Sequence, residues 1–206
     1  ETEVTVARNY GTLRIKNVWK LSQNEKLEGK LLPETVTQNF LFPVFLWSDG
    51  DAKNLTSSNI LGLLKFIFLP IDTNISFGDR LSAGFFALKI HDLDKTEIDM
   101  CKSQFLHKEK LSDGQVGYRK VSGIISQRLG VYFSDNIMSG KNIRFYMVDA
   151  TGEAGVASLV GQILEVMGGK VVSVDKKQEV GDYDCQVMGR DKDTNRKVAN
   201  LFSCQI

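Results

Sequence analysis

Gly152-Glu153-Ala154-Gly155-Val156-Ala157 is the stretch whose residue types and spacing come nearest to describing chemistry. Two glycines ahead of an apolar helical pattern let an anion approach the backbone N–H groups of a helix N-terminus. Asp175 follows roughly 20 residues on, where a dinucleotide fold keeps the acid that binds a ribose hydroxyl. On this reading the turn holds the phosphates of an NAD-type cofactor. The competing reading is structural: Gly152 and Gly155 make the turn and let the following helix pack closely on a sheet. A lone G-x-x-G-x-A run fits both, and the rest of the chain favours the second.

Other reactive residue types form no set. His91 and His107 are isolated from any nucleophile–base–orienter spacing, so no catalytic residue is assigned. No C-x-x-C occurs, and neither histidine shares a ligand spacing with Cys101, so no metal is expected. Cys185 and Cys204 could form a disulfide that staples the end of the chain, worth roughly 3 kcal/mol for a loop of this size. They could equally be two buried thiols. The tripeptides starting at Asn54 and Asn74 fit a glycosylation sequon and are set aside as chance matches.

The elements that must position the glycine turn are clear in outline. Ile143, Phe145 and Met147 alternate with Arg144 and Tyr146, as in a strand. Thr151 or Asp149 caps the next helix on this reading, and Glu153 lies in its first turn, where a negative charge suits the helix dipole. Val156, Leu159, Val160, Ile163, Leu164 and Met167 form a helical stripe that Gly168-Gly169 ends. Val171, Val172 and Val174 then read as a second strand. Tyr183, Cys185 and Val187 read as a third, and Asp193 as the cap of a last helix that turns Val198, Leu201 and Phe202 inward. The expected C-terminal fold is α+β, a small three-stranded sheet with two helices. Too little chain follows Val174 for the further parallel strands of a doubly wound nucleotide fold.

Upstream the pattern predicts a mixed α/β region. Val4 to Val18 reads as strand-rich, with a turn at Arg8-Asn9-Tyr10-Gly11. Residues 31–42 read as a helix with Pro33 in its first turn, and residues 43–47 as a short strand. Residues 54–69 read as a helix capped by Ser57 or Ser58 and ended by Pro70. Ser76 to Asp79 resembles a capping box before a helix whose stripe of Phe77, Leu81, Phe85 and Leu88 is expected in the core. Residues 98–100 read as strand, 108–110 as a charged, solvated run, 112–114 as a turn, and 121–129 as a helix closed by Gly130. The domain boundary is placed in the polar stretch 134–141, giving domains 1–138 and 139–206.

Composition narrows the class. With 206 residues, 42% hydrophobic and 25% charged, the chain suits one or two globular domains. A net charge of +1 gives no argument for nucleic acid. The most apolar run, residues 60–69, is about half the ~20 residues needed to span a bilayer. A start at Glu1 fits a mature or trimmed piece of a protein.

The residues from 143 onward resemble the C-terminal module of LytR-type proteins, in which a strand leads through an N-x-T/S-G-x-x-G-x-A turn into a helix ending in G-G. The matching residues are Val148-Asp149-Ala150-Thr151-Gly152-Glu153-Ala154-Gly155-Val156-Ala157 and Gly168-Gly169-Lys170-Val171-Val172, with Asp149 in place of the usual Asn. Residues 10–15 and 31–36 are similar to stretches flanking the substrate site of the LytR-CpsA-Psr catalytic domain. That family implies an extracytoplasmic, membrane-anchored parent protein that transfers glycopolymers from a polyprenyl-pyrophosphate carrier to the cell wall, using arginines, acids and magnesium. This chain lacks the family's Pro-Arg-Asp stretch and its Arg/Arg-Gln helix. Arg80, beside Asp79, is the one candidate phosphate contact left. The resemblance therefore implies a degenerate or partial transferase region, followed by a non-catalytic module that contacts wall polymer or another envelope protein without a cofactor. An oxidising compartment implies a Cys185–Cys204 disulfide.

Overall fold

The computed structural model describes residues 2–27, 29–48, 60–89, 98–100, 102–121, 130–177 and 185–206. It divides into two units, one formed by Glu1–Phe45 with Phe105–Ile206, the other by Leu46–Gln104.

In the first unit, β1 (Glu3–Thr5) and β2 (Thr12–Arg14) pair antiparallel with Val4 opposite Leu13. The expected turn joins them. Arg8, Asn9 and Gly11 all take positive φ there, and Val6 N–H donates to the Gly11 carbonyl at 2.7 Å. The strand pattern stops earlier than Val18. Helix α1 (Ile15–Asn24) begins directly after β2 and buries Val18 and Ser22. Ile15, Val18, Trp19 and Ser22 lie at i, i+3, i+4 and i+7, a helical spacing that β-branched residue types hide.

Helix α2 (Leu31–Phe40) carries Pro33 in its first turn, as expected, and buries Leu31 and Phe40. Strands β3 (Leu106–Lys110) and β4 (Val116–Lys120) form an antiparallel hairpin around the 112–114 turn, where Gly114 sits at φ +80°. The charged run 108–110 is part of this hairpin, with Lys108 and Lys110 exposed. One bridge, Thr2 to Tyr118, lays β1 parallel to β4.

The C-terminal part of this unit runs α5 (Asn136–Gly140), β5 (Arg144–Asp149), α6 (Val156–Val166), β6 (Lys170–Lys176) and α7 (Lys192–Phe202). β5 and β6 are parallel, and α6 is their crossover. Met138, Ile163, Leu164, Met167 and Val198 form the core, with Phe145, Met147, Val171, Leu201 and Phe202 against it. The helical stripe and the inward residues of α7 therefore lie where the spacing puts them.

The third strand is corrected. Residues 185–187 add no strand to β5–β6. Their partner is the chain's own tail: Gln186 bridges Gln205, Val187 N–H donates to Gln205, and Gln205 N–H to Cys185. Residues 183 and 184 lie outside the described residues. The architecture is mixed α/β, with six strands in three two-stranded sheets among the described residues. Residues 130–133 are helical, so Gly130 lies within a helical segment; residues 122–129 are outside the described residues.

The second unit is a helical hairpin of α3 (Ile60–Phe68) and α4 (Phe77–Lys89). α3 ends before Pro70. Ser76 caps α4 as expected: Asp79 N–H donates to its Oγ, which donates to the Asp79 carboxylate at 2.6 Å. The beginning of the expected 54–69 helix, with Ser57 and Ser58, is outside the described residues. No strand forms at 43–47 or 98–100. The aromatic stripe is also corrected. Phe77, Phe85 and Leu88 are about half exposed, at 52%, 59% and 49%, while Gly84 and Ala87 are buried. A Cβ on Gly84 would stand 2.5 Å from Ile67 Cδ1, so α4 packs its small residues on α3, while Phe77 meets the Phe68 ring of α3, centroids 6.1 Å apart. Among the described residues, no helix is long and apolar enough to cross a membrane.

Candidate functional site

β5 ends at Asp149, and a tight polar turn follows. The Asp149 carboxylate accepts from Thr151 N–H at 3.0 Å and from Thr151 Oγ1 at 2.7 Å; Thr151 Oγ1 accepts from Glu153 N–H at 3.2 Å. These donors, the Thr151 hydroxyl first, hold the Asp149 carboxyl below the ordinary carboxylate range, and Lys176 adds to the effect. Both expected caps are thus spent within the turn. The residue at the N-cap of α6 is Gly155, at φ +93°, and no side chain bonds the first helical N–H groups. Glu153 precedes the helix and lies outside its first turn.

Gly152 and Gly155 do form the turn, at φ +71° and +93°. A Cβ on either would meet nothing within 4 Å. Their role is backbone conformation rather than close packing, which corrects the second half of the structural reading. Close packing falls to Gly169, where a Cβ would stand 2.4 Å from Phe145 Cε2; at Gly161 a Cβ would make only ordinary contact, 3.5 Å from Val171 Cγ2. Residues Asp149 to Ala154, with Lys176 and Lys177, line an open crevice of about 550 Å³ at the carboxyl end of the two strands. Asp175 pairs across to Val148 and is exposed.

Arg80 lies in the second unit. Its Nη1 donates to the Leu69 carbonyl at 3.1 Å and the Phe66 carbonyl at 3.4 Å, and its guanidinium stands 5.9 Å from the Phe77 ring centroid. It closes the C-terminus of α3, while Asp79 is held by Ser76. Cys185 and Cys204 form a disulfide with Cα atoms 4.6 Å apart. His91 and Cys101 lie outside the described residues. His107 Nε2 is 2.6 Å from Glu109 Oε2. Among the described residues, no group of three metal-ligating side chains occurs.

The sequence pattern gave no sign of a charged cluster between β1 and the β3–β4 hairpin. Glu3, nearly buried, accepts from Ser112 Oγ and Arg119 Nη2, and Arg119 Nη1 is 2.8 Å from Glu109. Ser112 first, then Arg119, pull the Glu3 carboxyl below its ordinary range. Arg14 holds Asp113 beside it at 2.6 Å. Lys120, its amine shifted down by burial, donates to the Asn39 carbonyl at 3.4 Å. Apart from Arg119 and Glu109, the partners lie 81 to 116 positions apart and carry no local pattern, so only assembly of the strands reveals this set.

Comparison of the chain with family models, with curated proteins and with solved structures finds no match. The functional reading therefore rests on the residues and their geometry.

Proposed function

We propose that the chain is an extracytoplasmic cell-envelope protein of the LytR-CpsA-Psr type. Residues 139–206 serve as a non-catalytic interaction module linked to attachment of glycopolymers to the cell wall, and the upstream residues are a degenerate or partial transferase region. The observation that carries this reading is the β5–turn–α6–β6 unit, with Asp149, Thr151, Gly152 and Gly155 at the positions of the family's turn. The Cys185–Cys204 disulfide supports an oxidising compartment. The engagement of Arg80 with backbone carbonyls supports a non-catalytic chain.

Co-sedimentation with isolated peptidoglycan and its attached polymer tests the module, and retention in the pellet is the expected result. A chain that stays in the supernatant with both stripped and intact wall, and pulls down no envelope protein, sinks the reading. Incubation with a polyprenyl-pyrophosphate-linked glycan and magnesium tests the second half: transfer that Arg80→Ala abolishes overturns the non-catalytic assignment. The crevice beside Gly152, with Lys176 and Lys177 on its wall, favours one alternative, an NAD-type nucleotide enzyme. Titration calorimetry with NAD and NADP decides it. Saturable binding that Gly155→Val removes, in a variant whose circular dichroism is unchanged, replaces the envelope reading.

A further inference from the structure

A helix that is apolar all round must bury more than one face. α3 is such a helix, with Lys65 its only charged residue. Leu63, Phe66 and Ile67 are buried, yet Ile60, Leu61, Leu64 and Phe68 stand 62%, 73%, 45% and 63% exposed. These four fall within about a third of the helical turn. Phe77, Phe85 and Leu88 of α4 make a second open stripe, each about half exposed. Phe68 and Phe77, one from each helix, bring their rings to 6.1 Å, so the stripes join into one face of the hairpin. Together these side chains leave roughly 700 Å² of apolar surface in water. The largest apolar patch on a typical monomer is about 300–600 Å².

Area and charge together fit one occupant. A stable protein interface takes about 800 Å² from each partner, close to what this face offers. A helix that lies on a membrane carries a strongly charged polar side for the lipid head groups. Here Lys65 and Lys89 border the stripes, while Asp79 and Arg80 are held by Ser76 and by the end of α3. An interface between identical chains is instead apolar and poor in charge at its centre, and a second copy supplies the matching face by construction. We infer that the chain self-associates through this hairpin: two copies set their α3–α4 faces together about a two-fold axis and close an antiparallel four-helix bundle. With the axis along the helices, α3 of each copy lies on α4 of the other. The Phe68–Phe77 contact fixes the relative level of the helices, so Lys65 and the opposing Lys89 stand about 13 Å apart along the bundle, more than a Debye length. The bundle gives each hairpin the second layer that two helices alone lack. This inference is independent of the reading of residues 139–206.

Sedimentation equilibrium of the full chain tests it. The expected mass at about 10 μM is twice the 23.0 kDa of one chain, falling toward 23.0 kDa on dilution. Leu61→Glu and Phe85→Glu, both at exposed positions of the single chain, should each leave the circular dichroism unchanged and raise the dissociation constant at least about hundredfold. The milder Phe85→Ala should raise it about tenfold. Tyr146→Glu, an equally exposed site on β5, should leave it unchanged. A native chain that stays at 23.0 kDa up to about 100 μM overturns the inference, as does a dimer that survives both glutamates or is lost in Tyr146→Glu. Flotation with phosphatidylglycerol vesicles that Leu61→Glu abolishes, with the native chain single in solution, assigns the face to a membrane and overturns it as well. A mass that climbs past two copies with concentration marks an open, non-closing contact and has the same effect.

Discussion

Gly155 and Gly169 stand at opposite ends of the same helix and are needed for opposite reasons. Gly155 supplies a left-handed φ with empty space around it, whereas Gly169 leaves room for the Phe145 ring. Gly155→Ala should cost about 1 kcal/mol by urea denaturation, and Gly155→Asn less, because asparagine tolerates that conformation. Gly169→Ala should cost about 1–3 kcal/mol through overpacking, relieved by the second change Phe145→Leu. Asp191 caps α7, accepting from Thr194 N–H at 3.0 Å and pairing with Lys141, so the expected cap at Asp193 is corrected by two residues. Asp191→Ala should destabilise the chain, seen as a lower midpoint in the same urea titration. Lys141 first, and Thr194 after it, lower the Asp191 carboxyl from an ordinary 3.8 to about 2. A lowered folded value means the contribution is fully present above the ordinary value and lost as pH falls through about 2. The stability gap between the native chain and Asp191→Asn should therefore close over that window in pH-dependent denaturation. At this scale the sequence shows which residue types favour caps and turns. It does not show which of several adjacent polar residues meets the first free N–H, because Asp149 and Thr151 satisfied each other instead.

Beyond the Thr2–Tyr118 bridge, the edge of β1 at Thr5 is closed by a side chain rather than a strand. Asn39 of α2 accepts from Thr5 N–H at 3.2 Å and donates to the Thr5 carbonyl at 2.7 Å, and Thr35 Oγ1 accepts from Ala7 N–H at 3.1 Å. One amide thus does what a ladder residue of a neighbouring strand would do. Asn39→Ala leaves both Thr5 groups unpaired and should cost about 2 kcal/mol. Asn39→Asp keeps the acceptor but sets a carboxylate against a carbonyl, and should cost at least as much in the same urea titration. Strand–helix–strand order in the C-terminal part was legible because its periodicities change cleanly at Asp149 and Gly168. The helix that starts at Ile15 was not, since Ile15 and Val18 favour strand by type and only their spacing says helix. The rings of α4 were misplaced for a related reason. A periodic stripe marks one face of a helix, and the choice of the glycine face for packing depends on the partner, here Ile67.

Across the molecule, several of the long-range links are covalent or polar. Reduction of Cys185–Cys204, which are 19 positions apart, should lower stability by roughly 3 kcal/mol in denaturant titrations with and without dithiothreitol. Glu3 ties the first strand to Ser112 and Arg119. Its carboxyl titrates below the ordinary 4.5, so the stability it adds is fully present above that value and is lost as acidification passes through the lowered one. Glu3→Gln should flatten the acid limb of the stability profile, and an unchanged limb would discount the cluster. Only assembly of the strands exposes this set, as its members come from the first strand and from the middle of the chain. Glu3 and Arg119 are 116 residues apart. At ribosomal speeds of roughly 5–20 residues per second, the partner emerges about 6–23 seconds after the acid. In that interval the nascent β1–β2 pair has no counter-ion for Glu3, while α2, complete within the first 40 residues, is already able to cover the strand edge. The order of emergence thus lets Asn39 guard the Thr5 groups before the β3–β4 hairpin arrives, and it keeps them paired afterwards.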